Sequence, residues 1–355
     1  MPYMTGIYGN PSSVHRFGRL TRDALEQART QVARLVGAET NQLVFTSGGT
    51  EANNLAIRGV LANLPVSRFT VSAIEHASLL APAKSMSQQK WQLDMIPVNA
   101  QGQVDVDTLQ PFINEDSKLV SIMAANNETG VLQDLKSLVS TAKAINSTVL
   151  FHSDACQMAG KQAINFAELN LDLMSLSSHK LYGPQGVGAL VVSRSVDLAA
   201  QITGGGQERG YRSGTENLAA LVGFGMAAEL AASKLQQRQT HLLGLQQRLV
   251  EQLQEMQGVE VFSSQVPRLP NTVQFSVQGI DGETLLMQLD RKGFAVSSGS
   301  ACDSGKTDPS HVLLAMSVPA QIARGAIRVS FGDQSKDEDV TQFIESLKSI
   351  RQQFN

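Results

Sequence analysis

The sequence predicts an α/β protein, with a large domain on a mostly parallel sheet followed by a smaller α+β domain. Three observations carry this expectation. Apolar runs of strand length alternate with helix-period segments through about residue 230, and such alternation builds a buried parallel sheet with helices on both faces. A proline-free stretch rich in Ala, Leu, Gln and Glu runs from 216 to about 256, the composition of a long helix that leads out of the first domain. After it comes a short set of strand and helix patterns, enough for one compact α+β unit. The boundaries read this way are 10–235 for the large domain and 236–355 for the small one, with residues 1–9 packed beside the latter.

Taken in order, buried strands are expected at 43–46, 68–72, 119–124, 148–153, 171–176 and 187–192. Each is a largely apolar run of strand length, the pattern of a buried strand. Helix periodicity occupies 22–35, 53–63, 77–89 and 135–145 between them. The long helix is expected to bend near Gly244, because glycine lowers helix propensity. Strands at 272–277, 294–297 and 326–330 and helices at 282–291, 310–316 and 336–353 complete the small domain.

Composition narrows the function. The 355 residues are 42% hydrophobic and 17% charged with a formal charge of −3, so no net field would recruit nucleic acid or an anionic membrane, and a small substrate is expected. The two cysteines, Cys156 and Cys302, cannot make a disulfide framework and suit a reducing, cytoplasmic compartment. The apolar stretch 218–228 stops at Glu229, shorter than a bilayer span. Arg16, Arg19 and Arg22 in an acid-free start imitate a transit peptide, but Gly9, Asn10 and Pro11 would break the amphipathic helix that one needs.

Ligands of open α/β sheets bind beyond the carboxyl ends of the strands, and this sequence places chemistry there repeatedly. The run 43–46 ends in Ser47-Gly48-Gly49-Thr50-Glu51 before a helix. Small residues at such a turn expose backbone N–H groups at a positive helix end, which makes a phosphate cup. A second glycine-rich run, from Gly299 to Gly305-Lys306-Thr307, has one residue too many between its glycines for a nucleotide P-loop. Asp154 follows one strand, and Ser177-Ser178-His179-Lys180 follows the next. Aspartate and lysine at neighbouring strand ends suit a pyridoxal site, where lysine forms a Schiff base and the carboxylate keeps the pyridinium nitrogen protonated. His76, after the run 68–72, can serve as acid or base at the same rim. Cys302, among small polar residues, is placed as an accessible thiol, whereas Cys156 is assigned to packing. No metal-ligand set is expected.

The stretches GNPSSVHRFGR (9–19), FTSGGTEANNLAI (45–57), EHASLL (75–80), NNETGVLQD (126–134), FHSDACQMAGK (151–161), SSHKLYGPQGVGAL (177–190), GGGQERGYRSGTEN (204–217), SSGSACDSG (297–305) and RGAIRVSFG (324–332) resemble the NifS/IscS-type cysteine desulfurases of the class V aminotransferase group. The resemblance runs almost the whole chain in the same order. It implies a PLP-dependent transferase of fold type I with pyridoxal 5'-phosphate as cofactor. By the resemblance, Lys180 binds the cofactor, Asp154 pairs with its ring nitrogen, Gln157 meets the ring hydroxyl and His76 stacks on the ring. Gly49, Thr50, Ser177 and His179 contact the phosphate, with Thr215 reaching across a homodimer; Asn126 and Arg328 hold the substrate carboxylate, Asn126 also beside the cofactor.

The implied reaction converts L-cysteine to L-alanine, with Lys180 moving the Cα proton and Cys302 taking the sulfur as a persulfide. The acceptor expected from the resemblance is an IscU-type scaffold or another sulfur acceptor in iron–sulfur cluster, thio-cofactor or tRNA biosynthesis. The segment after Cys302, through Asp308-Pro309-Ser310-His311, resembles the long-loop subgroup. Family members usually begin with an extended segment ahead of the stretch that here starts at Gly9, and a chain lacking it is expected to differ at the substrate pocket. Gly49, Cys156 and Asp303 stand where alanine, alanine and threonine or serine are usual. Two further readings are another PLP-dependent C–S or C–Se lyase that does without Cys302, such as a selenocysteine or cystine lyase, and a weakly active paralogue acting as a sulfur-trafficking partner.

Overall fold

The computed structural model describes residues 2–298 and 308–354. The chain forms two compact units: Met1–Ile96, Val106–Ala124 and Asp134–Leu235 in unit 1, and Pro97–Asp105, Ala125–Gln133 and Gln236–Asn355 in unit 2. Residues 2–9, expected beside the C-terminal domain, group with unit 1. Gly9 explains this, because a Cβ there would lie 2.7 Å from the backbone of Phe17, so the segment lies directly on the first long helix. The segments 97–105 and 125–133, expected within the large domain, belong to unit 2. The second is held there by the Val131↔Arg268 bridge and the Leu132 N–H to Pro267 carbonyl bond of 3.0 Å.

Unit 1 is built on strands β1 (Leu43–Thr46), β2 (Arg68–Ser72), β3 (Gln92–Ile96), β4 (Ser117–Ser121), β5 (Leu150–Asp154), β6 (Leu173–Ser177) and β7 (Gly188–Val192). Their order is β1-β7-β6-β5-β4-β2-β3. All neighbouring pairs are parallel except those of β7, which runs antiparallel to both β1 and β6. The reason is local. Only the short segment 178–187 separates β6 from β7, too little for the crossover that a parallel pair requires. β3, which the apolar pattern did not indicate, is an edge strand with exposed polar positions, tied to β2 by an Arg68–Asp94 ion pair of 2.7 Å.

The helices are amphipathic covers. Helix α1 (Arg16–Leu35) begins ahead of its apolar periodicity because the His15 Nδ1 accepts the Gly18 N–H at 3.2 Å and caps it. It buries Ala24, Leu25, Ala28 and Val32. Helix α2 (Gly49–Asn54) continues through a π-helical turn, Leu55–Gly59, into Val60–Ala62. Helices α3 (Ala77–Ser87) and α4 (Leu135–Ile145) follow, capped by His76 and Asp134. Helix α5 (Leu218–Gln254) is a single 37-residue helix. The helix expected to break or bend near Gly244 runs through it without a break; that glycine is exposed with open space around it, so nothing there forces an interruption. By length and composition α5 could cross a membrane, yet Leu221, Phe224, Ala228 and Ala231 are buried, and Phe224 packs on Phe45 of β1.

Unit 2 holds an antiparallel sheet of β8 (Val259–Val261), β9 (Thr272–Val277), β10 (Ser297–Ser298) and β11 (Ala326–Ser330), in the order β10-β11-β9-β8. Of the strand expected at 294–297, only its end pairs; Phe294 instead packs edge-on against Phe343 at 5.4 Å. Helices α6 (Gly282–Arg291) and α7 (Asp337–Arg351) close the core around Phe275, Ile327, Leu285 and Leu347.

Two glycines separate a required from a dispensable absence of side chain. A Cβ on Gly188 would sit 2.6 Å from both the Gly48 carbonyl carbon and the Leu176 carbonyl oxygen, all backbone. Gly188→Ala is expected to lower the stability of the fold by about 3 kcal/mol through overpacking. Gly244→Ala is expected to raise it by about 0.5–1 kcal/mol. Urea midpoints of the two variants, moving in opposite directions from the parent protein, are the check.

Candidate active site

Strand register assembles the site in unit 1. Thr46, the last residue of β1, and Ser177, the last of β6, are both paired with Gly188, the first of β7. The two strand ends therefore lie at one level, two strand spacings or about 10 Å apart. On the far side of β6, Asp154 ends β5 and pairs with Ser175. The cup after β1, the lysine turn after β6 and the carboxylate of β5 thus emerge at the same edge.

At the cup, the N–H groups of Gly49 and Thr50 occupy the first turn of α2, where no intrahelical acceptor exists. Glu51 would bring an unwanted negative charge, but it is already engaged. Its carboxylate receives the Arg212 guanidinium at 2.8 Å and the Ser47 N–H at 2.8 Å. Burial pushes Glu51 up, yet Arg212 and Ser47 outweigh it and hold the carboxyl below the usual range. The cup is left suited to an anion.

Asp154 is buried, with one carboxylate oxygen accepting the Asn53 amide at 2.7 Å and the other the Cys156 N–H at 2.9 Å. Asn53 also donates to the Ser78 hydroxyl at 2.9 Å, and that hydroxyl lies 2.8 Å from the His76 Nδ1. The same His76 nitrogen accepts the Ser78 N–H at 3.1 Å. One hydrogen-bonded chain therefore fixes both the Asp154 carboxylate and the His76 ring, with Asn53 at its centre. Lys180 stands on a short 3-10 turn, Ser178–Leu181, which the left-handed Tyr182 (φ 67°) and the Gly183 N–H to Ser178 carbonyl bond of 3.0 Å close. The lysine is exposed beyond a fully buried strand. Next to it, His179 shares a 3.0 Å hydrogen bond with the Ser177 hydroxyl, and burial, then Lys180, push its pKa down. Gln157 is half-buried, its side-chain oxygen accepting Lys161 Nζ at 2.9 Å.

The segment carrying Thr215 is anchored by a buried fork. Glu208 receives Arg29 through two bonds of 2.6 and 2.8 Å and also accepts the Phe45 N–H of β1 at 2.8 Å. Glu208 and Arg209 both take left-handed backbone, φ 47° and 57°, a strain that the fork offsets. Thr215 itself is exposed.

In unit 2, Asn126 is buried and its side-chain oxygen accepts the N–H groups of Glu128 and Thr129 at 2.9 and 3.0 Å. Arg328, on β11, donates to the Asn127 carbonyl at 2.7 Å. The two residues expected to hold a carboxylate therefore meet on one short turn. Glu128, beneath them, accepts Ser310 at 2.5 Å and Gln274 at 3.3 Å; burial raises its pKa.

Residues 1–343 match the family model described as Aminotransferase class-V. The chain belongs to the class V aminotransferase family. It is 39% identical over 352 residues to a protein of Dictyoglomus turgidum named cysteine desulfurase IscS, covering 98% of this chain and 89% of the relative. Among solved structures, one titled NifS-like protein superposes with a TM-score of 0.92 at 34% identity, covering 99% of this chain and 93% of the other. Another, SspA in complex with cysteine, gives 0.81 at 30% identity over 93% and 92% of the two chains.

Class V aminotransferases of the cysteine desulfurase type depend on pyridoxal phosphate, and unit 1 fits that group. Gly188 lies so close to the Gly48 backbone that a side chain on it would collide, the N–H groups of Gly49 and Thr50 begin the helix beside it, and a buried carboxylate and an exposed lysine share that edge. Gly49, Thr50, His76, Asp154, Gln157, Ser177, His179 and Lys180 all lie in unit 1, as does Thr215; Asn126 and Arg328 lie in unit 2. Cys302 lies outside the described residues. Sequence reasoning missed Asn53, Ser78 and the Arg29–Glu208 fork. For Asn53 a signal existed, since a fully buried amide in the helix after the cup interrupts an otherwise apolar face. The fork, spanning a separation of 179 residues, left no local trace.

Two further buried groups surround Asp154. Glu75 accepts the Ser72 hydroxyl at 2.5 Å and the Met123 N–H at 2.7 Å, and burial raises its pKa from 4.5 to about 8, with Asp154 adding to the rise. His152 bridges the Ser121 and Ser175 hydroxyls at 2.8 and 2.9 Å, and burial lowers its pKa from 6.5 to about 4. Both are neutral at pH 7, and their linkages to stability have opposite signs. The Glu75 contribution is complete below about pH 4.5 and is lost as pH rises through 8; that of His152 is complete above about pH 6.5 and is lost as pH falls through 4. Glu75→Gln is therefore expected to flatten the loss of stability between pH 6 and pH 9 that the parent protein shows, read as urea midpoint against pH. An unaltered slope in that variant would show that Glu75 is not the group responsible.

Proposed function

We propose that this chain is a cysteine desulfurase that binds pyridoxal phosphate in unit 1, converts L-cysteine to L-alanine and passes the sulfur to Cys302. The observation that carries the reading is the shared level of the ends of β1 and β6 on either side of Gly188, with Asp154 on the next strand. Near-full-length identity to a cysteine desulfurase, and likeness to a structure solved with cysteine, support the substrate.

Pyridoxal phosphate, when bound, supplies an electron sink for charge developing at the substrate Cα. The rest falls to the protein. The N–H groups of Gly49 and Thr50, with Ser177, His179 and Thr215, take the phosphate. Asp154 would keep a proton on the ring nitrogen, Gln157 would meet the ring hydroxyl, and His76 would stand beside the ring. Lys180 would hold the cofactor through Nζ, and its free amine would take the substrate Cα proton. Arg328 offers a planar, two-pronged partner for the substrate carboxylate, with Asn126 beside it. The Cys302 thiolate attacks the substrate sulfur, the Cβ–sulfur bond breaks with its electron pair left on the carbon side, and protonation of Cβ with return of the Cα proton from Lys180 leaves alanine and a persulfide on Cys302.

The persulfide sulfur goes to an acceptor such as an IscU-type scaffold, for iron–sulfur clusters, thio-cofactors or tRNA. The active form is a homodimer, and the exposure of Tyr8, Val14 and Phe17 supports burial of this end by a second copy. The buried free thiol of Cys156 is consistent with a reducing cytoplasm.

With pyridoxal phosphate added, the purified protein is expected to show a visible absorbance band and to turn L-cysteine into alanine. Lys180→Ala should lose both. Cys302→Ser should keep the band and lose at least about a hundredfold in alanine formation, as expected when a nucleophile is removed. Full turnover in Cys302→Ser would favour a lyase that releases sulfur directly, and no band in the parent protein would sink the cofactor assignment.

A further inference from the structure

Cys156 stands out among the buried nucleophilic groups. It is two residues past Asp154, 8% exposed, and the proposed reaction gives it no role. Its surroundings do. A Cβ built on Gly49, in the phosphate cup, would lie 2.6 Å from the Cys156 Sγ. The sulfur therefore fills the space that a methyl group at position 49 would occupy. The same residue reaches Asp154 twice. Its N–H donates to the carboxylate at 2.9 Å, and the same carboxylate acts electrostatically on its thiol. Burial, followed by the proximity of Asp154, keeps the thiol well above its ordinary pKa, so it is a neutral S–H donor at pH 7.

We propose that Cys156 and Gly49 are one coupled positioning device, in which the Cys156 side chain wedges the phosphate cup against Asp154 and so sets the distance between the anion end and the carboxylate end of the cofactor site. The inference rests on the pyridoxal phosphate reading for its role, but the coupling itself is a property of the protein without cofactor. Glycine beside cysteine and alanine beside alanine divide nearly the same volume differently. Each single change to alanine therefore leaves either a clash or a void, whereas the double change restores the sum.

The test is a double-mutant cycle on Gly49→Ala, Cys156→Ala and their combination, read by unfolding temperature of the cofactor-free protein and by pyridoxal phosphate affinity. Gly49→Ala alone is expected to weaken cofactor binding at least about tenfold and to lower the unfolding temperature, because overpacking against the buried Cys156 sulfur is costly. The combined variant should regain most of both losses, a coupling well above that of independent sites. Cys156→Ser tests the positioning of Asp154. It keeps a hydrogen-bond donor and should leave the absorbance maximum of the bound cofactor unmoved, whereas Cys156→Ala should shift it. Additive losses in the cycle, or identical spectra for Cys156→Ala and Cys156→Ser, would overturn the proposal. If the parent protein binds no pyridoxal phosphate, the cofactor reading falls, and the unfolding temperatures still decide the coupling.

Discussion

The hydrogen bond from Asn53 to Asp154, 2.7 Å long and fully buried, is the joint on which the site depends. A carboxylate at the end of a central strand is expensive to bury, and bonds to a charged acceptor recover about 1.5–3 kcal/mol each. Asn53 supplies one such bond from α2 and passes a second to Ser78 on α3, so strand β5 and two helices are held in one relation. Because α2 begins at the cup and α3 begins at His76, that relation fixes the anion site, the carboxylate and the imidazole together.

Charge around this joint is arranged with economy. Glu51 is held by Arg212 at the mouth of the cup, and Glu208 is held by Arg29 behind β1. Glu75 and His152, two buried titratable groups near Asp154, are kept neutral by burial from opposite directions. The consequence is an edge where one carboxylate faces a ligand while the others are neutralised by pairing or protonation. A buried pair adds little net stability over an apolar one, so the gain from Arg29–Glu208 is geometric. It holds two successive left-handed residues in the segment that carries Thr215.

Much of this was legible in the sequence because it was local. The cup, Asp154 and Lys180 each follow a largely apolar run of strand length, and the alternation of strands and helices tells which ends are carboxyl ends. What was not legible depends on contacts distant along the chain. Gly188 looks like one of several glycines in its segment until register brings Gly48 against it. Cys156 has the apolar setting of a packing residue, and only its approach to position 49 gives it a further role. The interruption expected at Gly244 did not occur for the reverse reason, since propensity was weighed without the buried Leu242, Leu245 and Leu249 that pack this part of α5.

The position of β1 also governs when the site can exist during synthesis. In the sheet β1 pairs with β7 and with no other strand, and β7 ends at Val192. A ribosome-bound chain that has emerged only through the turn after β6 has made the lysine turn and the carboxylate, but it lacks the strand against which the cup must form. Cofactor capture is therefore a late event, coming after more than half of the polypeptide has left the exit tunnel. Until then β1 is an apolar tetrapeptide without a partner, the kind of segment that chaperones shield.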